Sequence, residues 1–106
     1  MKHIHCPDVD AYDAGDLGLE GTNKMNIRVI SENTVWMELG IGGYTPDHVH
    51  DDKERLVMLS GKAVIKLGDK KIEVGPGDFA EIDNEPHQVI NIGDEPFIFM
   101  GFRNQT

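Results

Sequence analysis

No long stretch of this chain keeps a helical period; short alternating runs, bounded by turn residues, recur instead. The clearest is Thr34 to Ile41, where Val35, Met37, Leu39 and Ile41 share one face. Met25 to Ser31 sets Ile27, Val29 and Ser31 against Asn26, Arg28 and Ile30. Arg55 to Ser60 is short and apolar. Lys62 to Leu67 and Lys70 to Val74 read as a hairpin about Gly68-Asp69. Gly42-Gly43 is expected to break the strand that begins at Thr34, and Gly75-Pro76-Gly77-Asp78 to make a tight turn. Phe79 to Ile82, His87 to Ile92 and Phe97 to Arg103 supply three more strands. Strands this short, with turn signals roughly every eight to twelve residues, predict an all-β sandwich or barrel. Residues 1–24 carry Pro7, Gly15, Gly18 and Gly21 and read as an irregular arm with room for one short strand. The expected organisation is therefore one domain over 1–106, with the barrel core at 25–103.

Charge narrows the partners. Ten Lys and Arg against 19 Asp and Glu give a formal charge of −9. Phosphate backbones and anionic membrane surfaces are repelled by such a chain, so neither nucleic acid nor membrane is an expected partner. The longest basic cluster, Lys70-Lys71, falls at the hairpin turn. No apolar run approaches the ~20 residues of a membrane span. Met1 to Cys6 lacks the apolar centre of a secretory signal, and a single cysteine makes no internal disulfide, so the expected location is cytoplasmic.

The chemistry is concentrated in Gly42-Gly43-Tyr44-Thr45-Pro46-Asp47-His48-Val49-His50-Asp51-Asp52-Lys53-Glu54, with Pro86-His87 far downstream. His48 and His50 are two apart, and side chains at that spacing project from one face of a strand. Two imidazoles on one face with a carboxylate just after them make half of a transition-metal site. Without a metal, such a pair facing inward is costly to desolvate.

The run from Gly42 through His48, His50 and Glu54 to Gly61 resembles the first motif of the cupin superfamily, G-x5-H-x-H-x3-E-x6-G, with every spacing met. Gly77 through His87 to Asn91 resembles the second motif, which ends in H-x3-N. That second stretch is one residue shorter between glycine and histidine, and the usual midway proline is replaced near Asp83. The reading is a shortened loop, with His87 kept in place by Pro86 before it and Asn91 after it. The resemblance implies a double-stranded β-helix, or jelly roll, whose inner face holds one divalent transition metal (Mn, Fe, Ni, Cu or Zn) through His48, His50, Glu54 and His87. Imidazole suits these metals, and one carboxylate offsets part of the charge. Four protein ligands on a six-coordinate metal leave two positions open, whereas tetrahedral Zn would be filled.

Other residues carry weaker expectations. Asp47, Asp51 and Asp52 flank the histidines as solvated loop carboxylates, and Tyr44 packs at the rim. Trp36, Met58, Phe79, Phe97, Phe99 and Met100 are expected in the core or lining the cup. Leu56 and Met58 share the strand parity of Glu54 and are expected to point inward with it. His3, His5 and Cys6 are donor types on a flexible arm without a fourth partner. Arg55 and Arg103 are candidates to receive a substrate carboxylate. The resemblance implies a metal-dependent enzyme acting on a small polar molecule, of dioxygenase, decarboxylase, isomerase or lyase type. The alternative is a non-catalytic module that binds or senses a small, sugar-like ligand. Exposed edge strands favour a homodimer, with the arm pairing to a neighbour's sheet.

Overall fold

Nine strands follow one another in the computed structural model, which describes residues 1–47, 53–83 and 85–103. They are β1 Tyr12–Asp13, β2 Asn23–Ser31, β3 Thr34–Tyr44, β4 Lys53–Ser60, β5 Ala63–Leu67, β6 Lys70–Val74, β7 Phe79–Asp83, β8 Gln88–Asn91 and β9 Phe97–Arg103. Two single 3-10 turns, Cys6–Asp8 and Gly15–Leu17, lie in the N-terminal arm. Among the described residues no helix is long and apolar enough to cross a membrane.

The strands pair antiparallel in the order β6-β5-β8-β3-β9-β4-β7, with β2 also on β3 and β1 on β2. This is a sheet curled on itself in the jelly-roll manner, as the resemblance implied; the strand pattern alone predicted an all-β sandwich or barrel. Alternation explains which face turns in. Leu39, Leu56, Met58, Phe97 and Phe99 are fully buried, and the Phe97 and Phe99 rings lie 5.2 Å apart at 34°. Glu54, Leu56 and Met58 are all buried on β4, as their shared parity requires.

The curl depends on β3. Its first part, Thr34 to Leu39, pairs with β9, and Tyr44 at its end pairs with Ile90 of β8. Between them the register against β2 jumps from Met25↔Leu39 to Asn23↔Tyr44. The strand therefore bends at Gly42-Gly43 instead of ending there. Gly43 is buried where a Cβ would stand 2.8 Å from the Asn23 carbonyl. The surplus residues in the bend also undo the expected facing of Ile41, which is 55% exposed. Asn91 holds the bend. Its side-chain amide donates to the carbonyls of Leu39 (3.0 Å), Gly40 (3.1 Å) and Glu95 (2.9 Å).

Phe79 departs from the expected core or cup lining. It pairs with Val57, on the outward parity of β4, and at the sheet's edge it is 60% exposed. Trp36 and Met100 pair with each other on the same outer face and are half-buried.

Gly61 closes the first motif for two physical reasons. Its φ is +85°, and a Cβ would lie 2.6 Å from the Pro96 carbonyl oxygen. Gly68, in the β5–β6 turn, has φ +57° and open space around it. Gly68→Ala should therefore cost about 1 kcal/mol from the left-handed backbone alone. Gly61→Ala should cost about 3 kcal/mol, because steric displacement adds to the backbone term. Urea unfolding of the two variants checks this, and equal losses would contradict the close approach at Pro96.

Candidate functional site

Glu54 enters the interior from β4, between Ile82 of β7 and Arg103 of β9. His87 comes from the opposite side, immediately before β8, and is only 2% exposed. Its Nε2 lies 3.3 Å from Glu54 Oε1, and its Nδ1 lies 3.0 Å from the Glu85 carbonyl oxygen. A carbonyl only accepts, so Nδ1 carries the hydrogen and Nε2 is the atom aimed at Glu54. The position of His87 is secured from the neighbouring chain. Thr45 N–H donates to the Val89 carbonyl (2.9 Å), Val89 N–H donates to Thr45 Oγ1 (2.8 Å), and Gln88 Nε2 donates to the Thr45 carbonyl (2.9 Å).

Burial lowers the pKa of His87, but the Glu54 hydrogen bond, the Glu85 carbonyl and the charges of Glu54 and Asp47 all raise it. The net displacement is upward from the ordinary value near 6.5. Asp47 thus has an electrostatic effect on the site, although its side chain is exposed.

The pair stands at one end of a cavity of about 710 Å³. Thr45, Asp47 and Arg103 share the polar end. The remainder is mostly apolar, formed by Ile27, Val35, Met37, Leu56 and Phe99 from the inner faces of β2, β3, β4 and β9. Gly101 contributes floor without a side chain: a Cβ there would meet Met37 Cε at 2.8 Å and Val35 Cγ2 at 3.3 Å.

Of the four expected ligands, Glu54 and His87 are brought together. His48 and His50 lie outside the described residues, as do Asp51 and Asp52. Among the described residues no group of three or more His, Cys, Asp or Glu gathers as a metal site. His3 and His5 are exposed on the arm. The two arginine candidates separate. Arg103 lines the cavity, with Nε 3.9 Å from Glu54 Oε2, whereas Arg55 faces outward and donates to Glu81 at 3.0 Å. Parity carried the signal, since Arg103 follows Phe97, Phe99 and Gly101 on the inward face of β9. Tyr44 is 37% exposed and does not line the cavity. Thr45 was overlooked in the sequence; its place directly after the bend is what ties it to β8.

A family model described as the cupin domain matches residues 35–101, well over half of the chain. The chain belongs to the cupin family. The match spans the bend of β3, Glu54, His87 and Asn91. Solved structures agree on the fold. The polyketide cyclase RemF from Streptomyces resistomycificus superposes with a TM-score of 0.83 at 24% identity, covering 97% of this chain and 78% of the other. A predicted oxalate decarboxylase from Thermotoga maritima gives 0.84 at 16% identity, covering 99% and 100%. The cupin domain of an XRE family transcriptional regulator from Enterobacter cloacae gives 0.71 at 16% identity, covering 79% and 99%. At these identities the likeness carries the fold and no activity. No protein of curated function matches this cupin in sequence.

The raised pKa of His87 has a stability consequence in the metal-free cupin. A histidine with a raised folded pKa contributes stability that is fully present below the unfolded value, and that is lost as pH rises through the folded value. The urea midpoint of metal-free protein should therefore fall as pH is raised from about 6 to about 8.5. Glu54→Gln should lower the His87 pKa, read by NMR of the imidazole, and flatten that fall. A wild-type midpoint that rises over this window would overturn the assignment.

Proposed function

We propose that this cupin binds one divalent transition metal (Mn, Fe, Ni, Cu or Zn) through His48, His50, Glu54 and His87, and acts as a metal-dependent enzyme on a small molecule. One observation carries the reading: a buried imidazole, its Nδ1 committed to the Glu85 carbonyl, directs Nε2 at a buried carboxylate inside a cavity. This donor set fits such a metal. An imidazole fixed in one tautomer by a backbone carbonyl is the arrangement metal-ligating histidines show. The segment that carries His48 and His50 leaves the described chain at Asp47, beside His87, and rejoins it at Lys53, one residue before Glu54.

When bound, the metal would supply Lewis acidity at a substrate oxygen, or dioxygen chemistry if it is redox-active. The chain's own residues do the rest. Glu54 and His87 define the polar end, Arg103 sets a cation beside it, and the inner-face side chains give the remainder its apolar wall. The substrate is polar at its reacting end, and the open reaction classes are oxygenation, decarboxylation, isomerisation and elimination.

Elemental analysis tests the site. Wild-type protein should carry about one metal ion per chain, and His48→Ala, His87→Ala and Glu54→Gln should each lose most of it. Equal metal content in all four proteins would end the proposal. A second reading, a non-catalytic sensing module, draws on the likeness to the regulator's cupin domain. Turnover of any substrate by the metal-loaded protein, abolished by His87→Ala, decides against it.

We also propose that residues 1–106 act as one barrel unit and associate as a homodimer. The arm supports this indirectly. Tyr12 pairs with Ile27 of the chain's own β2, and Arg28 Nε donates to the Val9 carbonyl at 2.9 Å, so exchange between copies would repeat the same contacts in trans. Light scattering at micromolar concentration should return twice the 11.8 kDa chain mass. A monomeric mass would remove the dimer.

A further inference from the structure

We propose that the substrate is an amphiphile: a neutral, oxygen-bearing end seated at Glu54 and His87, and an apolar body lying across the inner faces of β9, β3 and β2. The proposal rests on the metal site for the reacting end and goes beyond it in naming the class of molecule.

The registers place the apolar body. From Glu54 the inner face steps down to Leu56, which pairs with Gly101; Gly101 pairs with Val35, and Val35 with Val29. That row crosses three strand spacings, roughly 14 Å at the usual separation between strands. Three or four fused rings have that length, and two rings with an acyl group come close to it. Gly101 adds no side chain to the row, and Met37 and Val35 lie over it.

Size and polarity agree. A two-carbon acid held at the polar end would leave most of the cavity of about 710 Å³ to water lying against Ile27, Val35 and Phe99. Water there forgoes the favourable removal of apolar surface that a longer molecule supplies. At the far end of the row Val29 is 56% exposed, though its face is the inward one, and Leu19 at the mouth is 39% exposed. An apolar body reaching that end would cover both.

Charge selects the polar end. Glu20, Glu32, Asp47 and Glu54 line the cavity against Arg103. In the metal-free protein a phosphate or dicarboxylate entering the cavity meets four carboxylates against Arg103 and the His87 imidazole, in a protein of charge −9. A hydroxyl or carbonyl meets no such repulsion.

The test uses metal-free protein with methyl-labelled methionine, so that binding of the body is read apart from the metal. The probe is 1-hydroxy-2-acetonaphthone, which carries adjacent hydroxyl and carbonyl oxygens on two fused rings. Acetylacetone carries the oxygens without rings, and oxalate is the small dianion. The naphthone should bind about ten-fold or more tightly than either control. Its addition should shift the methyls of Met25 and Met37, which line the cavity, and leave Met1 and Met100, which do not. Val29→Glu, a change at an exposed position, should weaken the naphthone about ten-fold and leave acetylacetone unaffected. Equal or tighter binding of oxalate, shifts at Met100 in place of Met25 and Met37, or an unaltered affinity in Val29→Glu would each overturn the proposal. Metal content is measured separately on the same preparations. An empty metal site with the naphthone bound as expected would remove the metal reading and leave the apolar row in place.

Discussion

The change of partner along β3 underlies the whole interior. One strand must serve two ladders, β9 with its first half and β8 with its end, and it manages this by bending at a point where ladder hydrogen bonds lapse. The carbonyls of Leu39 and Gly40 then turn to the Asn91 amide, which also holds Glu95. A buried carbonyl left without a donor costs about 1–3 kcal/mol, so a side chain able only to accept would leave several such debts at one place. Because Asn91 lies on β8, the same residue that fixes the bend fixes the strand that presents His87. The closing asparagine of the second motif is therefore a structural residue whose effect reaches the site through four residues of backbone.

That arrangement sets two groups against each other that are unfavourable to bury singly. An isolated carboxylate or imidazolium inside a barrel would be expelled or neutralised. Facing each other at 3.3 Å, Glu54 and His87 share one proton's worth of compensation, and the raised pKa of the histidine expresses it. The Glu85 carbonyl restricts the choice further: with Nδ1 already donating, whatever bridges the pair does so at Nε2. A proton and a metal cation are thus competitors for one position, and a site that binds metal releases a proton when it does so.

The sequence revealed the parts of this structure governed by strict alternation. Val35, Met37 and Leu39 on β3, and Glu54, Leu56 and Met58 on β4, face inward as a period of two demands. Hairpin β5–β6 turns at Gly68-Asp69, where the sequence placed it. Alternation failed where a strand bends or ends a sheet. Ile41 lost its facing because the bend adds residues to one strand only. Phe79 is hydrophobic yet exposed, because neither its parity nor its edge position can be read from its own residue type. Arg103 was a candidate by residue type alone, and its parity with Phe97 and Phe99 is what puts it on the inward face while Arg55 turns out. Spacing recognised Glu54 and His87 at a separation of 33 residues, which local pattern alone would never have joined.

The interior divides its labour by row. The uppermost inward row carries Glu54 and Arg103, and the next carries Leu56, Gly101, Val35 and Val29. In the proposed reading, chemistry that needs charge or a metal belongs to the first row, where Glu54 faces His87 and Arg103 stands near. Discrimination between substrates would then fall to the second, where each contact is apolar and its strength grows with the area covered. On that reading, a barrel of this kind could exchange one ligand for another by changing β2 and β3 while β4 and β8 stay as they are. This accounts physically for how one fold superposes on a cyclase, a predicted decarboxylase and a regulator's domain at identities that carry no common activity.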